Sequence, residues 1–169
     1  RGQLKNRISI DERPAIVEDK SRIGDWEVDT IIGRYHHQGI VTLVDRHSKF
    51  TLMKKVPSKH AEPVKQAIVD MMKPIKDHVL TITSDNGKEF AYHQEISRTL
   101  KTDFYFAHPY QSWQRGLNEH TNGLIREYFP KETEFQEITD KQIVEVQNKL
   151  NNRPRKILRF RTPAEVFFD

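Results

Sequence analysis

Gly24-Asp-Trp-Glu-Val-Asp-Thr-Ile-Ile-Gly-Arg-Tyr35 is the stretch on which the fold turns. Its Trp, Val, Thr and Ile content predicts a β-strand, because branched and aromatic side chains suit a pleated, half-buried surface. Asp29 interrupts that pattern. Aspartate is depleted in strands, and a carboxylate is costly to bury without a partner. Its presence there asks for a chemical reason. Asp25 and Glu27 alternate onto the same strand face, with Glu27 about 7 Å from Asp29 at roughly 3.3 Å per residue. Glu27 is therefore the understudy should Asp29 carry no chemistry.

Outward from this strand, Gly39-Ile-Val-Thr-Leu-Val-Asp45 and Lys49-Phe-Thr-Leu-Met-Lys-Lys-Val56 supply two more. Short connections make the three an antiparallel meander. Asp45 opens the Asp-Arg-His-Ser turn, where capping is the expected role. Pro57-Ser58 breaks the pattern. Over residues 59–72 the positions Ala61, Val64, Ala67 or Ile68, Met71 and Met72 recur at helical spacing, and Pro74 ends the helix. That helix is a plausible crossover into His78-Val-Leu-Thr-Ile-Thr-Ser84, so this fourth strand is expected to lie parallel and central. Residues 88–100 are predicted helical, 103–106 a short strand and 108–113 a loop around Pro109. Helices follow over 112–128, over 139–151 with Thr139 as N-cap, and over 162–168 with Thr162 as cap and Pro163 at its first position. The order predicts an α/β fold, a mixed five-stranded sheet with flanking helices. Residues 1–22, polar and without sustained periodicity, are expected to form an N-terminal arm or linker ahead of a domain over 23–169.

The chain has 169 residues, 36% of them hydrophobic and 31% charged, enough for one domain with a real core. No apolar run approaches the roughly 20 residues that span a bilayer, so no membrane partner is expected. With no cysteine, disulfides and thiolate metal sites are excluded. The chain opens on Arg1 rather than Met, as expected of a piece of a longer protein with a further domain upstream. Its net charge is +4 and unevenly spread: Lys149, Arg153, Arg155, Lys156, Arg159 and Arg161 follow one another with no acid among them. Interleaved with Leu158 and Phe160, this run favours a polyanion partner over a merely solvated face.

Two further acids stand out. Asp85 ends the fourth strand before Asn86-Gly87, at the rim of a parallel sheet where ligands bind, although Asp-Asn-Gly is also an ordinary turn. Glu119 lies on the helix over 112–128. There Leu117, Thr121, Leu124, Ile125 and Tyr128 share one side, and Arg115, Glu119, Asn122, Gly123 and Arg126 the other. A carboxylate between arginines also fits a surface ion-pair row. Three carboxylates from two strands and a helix, in a chain with a basic tail, instead suit hard divalent cations acting on phosphates. Eight histidines invite a zinc reading, but none shows His-Glu-x-x-His spacing.

Trp26-Glu-Val-Asp29-Thr, Ser84-Asp85-Asn-Gly-Lys-Glu-Phe90 and His108-Pro-Tyr through Trp113-Gln-Arg-Gly-Leu-Asn-Glu119 resemble the three catalytic blocks of DDE transposases and retroviral-type integrases. Thirty-three residues separate Asp85 from Glu119, close to the spacing of that group. With Tyr128-Phe-Pro-Lys131, Leu150-Asn-Asn-Arg-Pro-Arg155 and the closing Thr162-Pro163, the match is similar to transposases of the insertion-sequence-thirty type from about Gly24 onward. It departs at Val28, where many relatives carry glycine, and at His120, where asparagine is commoner.

The resemblance implies a ribonuclease H-like fold with Asp29, Asp85 and Glu119 as catalytic residues and ligands of two Mg²⁺ or Mn²⁺ ions. It implies hydrolysis of a phosphodiester at a transposon end, then attack of the exposed 3′-hydroxyl on target DNA. The partners would be double-stranded DNA and further copies of the chain, in the cytoplasm of a prokaryote and on the nucleoid when bound. Lys88, Arg115 and Arg126 would face phosphate, as would Arg153, Arg155 and Lys156. Asn86 and Asn122 would orient ligands or bases, and Tyr110 and Trp113 could stack on a frayed base. Trp113 equally fits a core anchor. The alternatives are a nuclease of the same fold that cuts without joining, and a non-catalytic DNA-binding or assembly module.

Overall fold

The computed structural model describes residues 4–111 and 116–169. Five strands run β1 (Asp25–Ile32), β2 (Gly39–Asp45), β3 (Thr51–Val56), β4 (Thr81–Ser84) and β5 (Asp103–Phe106). Six α-helices accompany them: α1 (Ala15–Asp19), α2 (Ala61–Met72), α3 (His93–Leu100), α4 (Gly116–Tyr128), α5 (Asp140–Asn151) and α6 (Pro163–Phe167). The sheet order is β3-β2-β1-β4-β5. β1, β2 and β3 form the expected antiparallel meander, and β4 and β5 add on parallel to β1.

Period-two alternation along β1 sends Trp26 and Val28 to one face of the sheet and Glu27, Asp29 and Ile31 to the other. The first face is the larger core, where Trp26, Val28, Leu43 and Ile82 pack against Val64, Ile68 and Met72 of α2, Ile96 and Leu100 of α3, and Phe167 of α6. The second packs Ile31, Ile40 and Met53 against Ile125 of α4 and Ile143, Val146 and Leu150 of α5. A sheet covered on both faces explains why every residue of β2 is buried.

Several boundaries differ from the expected ones. β1 stops at Ile32, because Gly33 presses against the Phe135 ring and Tyr35 and His36 take left-handed backbone angles in a tight turn. The helix predicted over 88–100 divides into a 3-10 turn (Lys88–Phe90) and α3, with a break at Tyr92. The N-terminal arm lies folded onto the sheet. The Phe106 amide donates to the Ile8 carbonyl at 2.9 Å, partly covering the β5 edge, and Val17 is fully buried. Its isolated apolar residues lack periodicity because they pack singly, not as one face.

The opposite edge is closed by side chains. Asn151 accepts from the Thr51 amide and donates to the Thr51 carbonyl, both at 2.8 Å, and Gln147 accepts from the Met53 amide at 2.9 Å. Asn151 is thus a buried substitute strand for β3. Asn151→Ala leaves two buried backbone groups unpaired, at about 1–3 kcal/mol each. Urea denaturation is expected to show a loss of roughly 2–4 kcal/mol with an unchanged m-value.

Candidate active site

β1 and β4 pair with a constant offset: Asp25 with Thr81, Trp26 with Ile82, Glu27 with Thr83. Continuing that offset sets Asp29 opposite Asp85. The ladder itself ends at Glu27–Thr83, whereas β1 stays paired to β2 as far as Ile32–Gly39. The two strands therefore part just where each presents an aspartate. This is a carboxyl-end rim of the parallel strands, at the point where the sheet changes from antiparallel to parallel.

Asp29 is half-buried and oriented. One carboxylate oxygen accepts from the Thr30 amide at 2.9 Å, the other from Asn122 Nδ2 at 2.9 Å. Asp85 accepts from the Gly87 amide at 2.8 Å, which folds the Asp-Asn-Gly turn. Glu119 is exposed in the first turn of α4, where the helix dipole favours a carboxylate. Asn122 lies about 60° from it around the helix and holds Asp29, while Asn118 reaches the Val28 carbonyl at 3.5 Å. These two contacts lay α4 against β1.

Asn118, Thr121 and Ile125 form the buried stripe of α4, and Tyr128 is exposed. That corrects the expected packing side of Leu117, Thr121, Leu124, Ile125 and Tyr128 by a partial rotation. The reason is polar: Asn118 and Asn122 turn towards β1 and carry the helix with them. Among the described residues no three histidine, aspartate or glutamate side chains are gathered closely enough to hold an ion. Asp29 lies in β1 two residues past its last pair with β4, Asp85 follows the end of β4, and Glu119 is exposed on the first turn of α4.

The donor set nonetheless suits a hard cation. It is all oxygen, and Asn122 Oδ1 is buried beside Asp29 with no donor among the described residues. A cation or its coordinated water would satisfy it. Asp29, Asp85 and Glu119 would hold such an ion.

Residues that sequence reasoning passed over complete the rim. Glu89, only 4% exposed, accepts from the Thr30 hydroxyl at 2.7 Å and pairs with Lys59 at 3.3 Å. It sits in the quoted Asp-Asn-Gly-Lys-Glu block, but nothing in the pattern marks an acid after a lysine as buried. Glu27, the understudy, is committed elsewhere: it is buried and ion-paired with Arg46, itself buried. Asp45 caps its turn as expected, accepting from the Gly24 and Ser48 amides; burial raises its pKa.

The expected DNA contacts divide. Lys88 and Tyr110 are exposed, Tyr110 on the wall of a groove of about 380 Å³ that runs past Asp85 and His108. Asn86 is instead engaged: its amide donates to the Ala107 carbonyl at 2.6 Å and accepts from Arg7, tying the turn after β4 to the end of β5. Arg126 is turned inward, donating to the carbonyls of Ile32 at 2.9 Å, Phe129 and Pro130, and burial lowers its pKa. Those carbonyls stand where chain segments leave β1 and α4, which is why they need a donor. Trp113 and Arg115 lie outside the described residues.

Arg153, Arg155 and Lys156 border a cavity of about 600 Å³ between α4, β1 and the chain after α5, together with Lys20, Arg46 and Lys49. Arg153 and Lys156 are exposed, while Arg155 donates to the Leu150 carbonyl at 2.8 Å and is half-buried. Burial, reinforced by the like charges of Lys20 and Arg46, lowers the Lys49 ammonium to about 8. Six cations border this cavity beside Glu18 and Glu27, of which Arg46 is paired with Glu27.

A mixed five-stranded sheet in the order β3-β2-β1-β4-β5, flanked by helices, defines the ribonuclease H-like class. The chain belongs to the integrase core domain family, whose model matches residues 19–112. It is 52% identical over 167 residues to the transposase for insertion sequence element IS4351 of Bacteroides fragilis, covering 99% of this chain and 51% of that protein. It is 39% identical over 164 residues to the transposase InsI for insertion sequence element IS30A of Escherichia coli, covering 96% of this chain and 43% of that one. The chain spans about half the length of the curated relatives it matches. The catalytic core domain of BIV integrase superposes with a TM-score of 0.67 at 20% identity, over 85% of this chain and 93% of that one.

The arm reaches this rim too. His108 pairs with Asp11 at 2.9 Å, and that hydrogen bond, with a second donated to the Gln111 side-chain oxygen, raises its pKa. A raised imidazole pKa means the contact stabilises the fold below the unfolded value near 6.5 and loses that contribution as pH rises through the folded value. NMR titration of Asp11→Asn is expected to move the His108 midpoint down towards 6.5; an unmoved midpoint would remove the arm from this contact.

Proposed function

We propose that the chain is the catalytic portion of a DNA transposase, with Asp29, Asp85 and Glu119 as its catalytic acids. This reading is supported by the β1–β4 offset, which continued two residues past its last pair would set Asp29 opposite Asp85, and by the hydrogen bond from Asn122 of α4 to Asp29. Two Mg²⁺ or Mn²⁺ ions, when bound, would activate the attacking oxygen and stabilise the departing one at a phosphodiester. The protein's own task is to hold and orient. Asn122 and the Thr30 amide set the rotamer of Asp29, and the Gly87 amide sets that of Asp85. Glu119, on a solvent-facing turn, closes on the phosphate as DNA docks.

The substrate is double-stranded DNA. At a transposon end, hydrolysis exposes a 3′-hydroxyl; that hydroxyl then attacks a target phosphodiester, and the target strand's own 3′-oxygen departs. Neither step needs a covalent protein intermediate. Tyr110 on the groove beside Asp85, the exposed Lys88 just after that turn, and Arg153 and Lys156 on the cationic cavity supply the path for the strand. Arg126 and Arg155 brace that path through backbone carbonyls. Two ends call for two active sites, hence a multimer on DNA, working in the bacterial cytoplasm on the nucleoid. No helix among the described residues is long and apolar enough to cross a membrane.

The test is an assay with pre-cut transposon-end DNA, a supercoiled target and Mn²⁺. Glu119→Gln is expected to abolish joined products, a loss beyond the roughly 10- to 100-fold of removing an outer-sphere partner. Nicking by the wild-type protein without any joining would favour a plain nuclease. In DNA binding, Lys156→Ala and Arg153→Ala are each expected to reduce the salt slope by about 1. An unchanged slope would take the cavity off the DNA path.

A further inference from the structure

Glu89 is a buried carboxylate that the catalytic reading leaves without a task. It lies where β1 and β4 part. The Thr30 hydroxyl donates to one of its oxygens at 2.7 Å, and Lys59, just ahead of α2, pairs with the same oxygen at 3.3 Å. Its other oxygen is packed against the Gly87 backbone: a methyl group added at Gly87 would stand 2.1 Å from Glu89 Oε1 and 2.9 Å from Asp85 Oδ1. Only a glycine lets both carboxylates approach that one backbone atom. The chain of contacts runs from Asp29 through its neighbour Thr30 to Glu89, and across Gly87 to Asp85.

We propose that Glu89 is a positioning residue: it straps the free end of β1 to the turn after β4 and so sets the separation at which Asp29 and Asp85 can share a divalent cation. The inference rests on the active-site reading above. The last residue pair of the parallel ladder is Glu27–Thr83, and beyond it the Glu89 contacts to Thr30 and Gly87 tie the two strands together. The strap is built for that: its acceptor is buried, its donor is the residue next to Asp29, and its charge is balanced by Lys59 on the far side. Placing one more carboxylate next to Asp85 works against the metal-free fold and towards a bound cation. Glu89 touches neither substrate nor ion; it acts through Thr30 and Gly87.

Mn²⁺ binding to the metal-free chain, followed by electron paramagnetic resonance without DNA, tests this alongside thermal melting. Glu89→Ala, measured below its metal-free melting midpoint, is expected to bind Mn²⁺ roughly 10- to 100-fold more weakly. Glu89→Gln keeps an oxygen for the Thr30 hydroxyl and is expected to recover most of the affinity. Thr30→Val, which keeps the shape and removes the donor, is expected to weaken binding in the same direction and serves if Glu89→Ala does not fold. Wild-type affinity in both Glu89→Ala and Thr30→Val would overturn the strap, as would Glu89→Gln binding no better than Glu89→Ala. Wild-type protein that takes up no Mn²⁺ at all would remove the active-site reading itself, and the strap with it.

Discussion

The structure depends on one strand having two unlike neighbours. β1 runs antiparallel to β2 over its whole length and parallel to β4 for only three residues. A long ladder on one side keeps β1 straight and buried; a short one on the other lets it diverge. The shorter ladder leaves a cleft past Glu27 and Thr83, where continuing its offset would set Asp29 opposite Asp85. Were β4 to continue pairing, the backbone of residues 85–87 would fill that cleft and the turn would carry its aspartate elsewhere.

Gathering carboxylates at one rim carries an electrostatic cost, and the surroundings show how it is met. Asp29 accepts two neutral hydrogen bonds, Glu119 sits at the positive end of α4, and Glu89 is balanced by Lys59. Arg46 is engaged with Glu27 and Arg126 with carbonyls. Carboxylates line the rim, and cations line the cavity bordered by α4 and the chain after α5. Such a division suits a phosphodiester, whose strand needs cations along its length and metal-bound oxygen at one point.

Much of this was legible in the residues. The meander, the crossover through α2 and the parallel addition of β4 followed from apolar periodicity and from Pro57 and Pro74. Asp29 stood out because mid-strand aspartate is costly, and Asp85 because its turn falls at a strand end. What escaped was contact between distant segments. Asn151 and Gln147 act as a substitute strand for β3, a role that depends on α5 lying along that edge. Arg126 has the charge and spacing of a phosphate contact, yet carbonyls left unpaired at the ends of β1 and α4 claim it. Asn118 lies next to Glu119 in a polar stretch, and only the tilt of the helix shows that it is buried. Glu89 is disguised by the exposed lysine before it and by a 3-10 turn that breaks the helical period.

The central claim is that the cleft between β1 and β4 holds a divalent cation between Asp29 and Asp85 within reach of Glu119. Anomalous diffraction from a crystal of the chain soaked in Mn²⁺ addresses it directly. The account predicts a peak at about 2.0–2.3 Å from an oxygen of each aspartate, with Glu119 swung towards it. Density at that rim with no anomalous signal, or a peak held by other side chains, would contradict it.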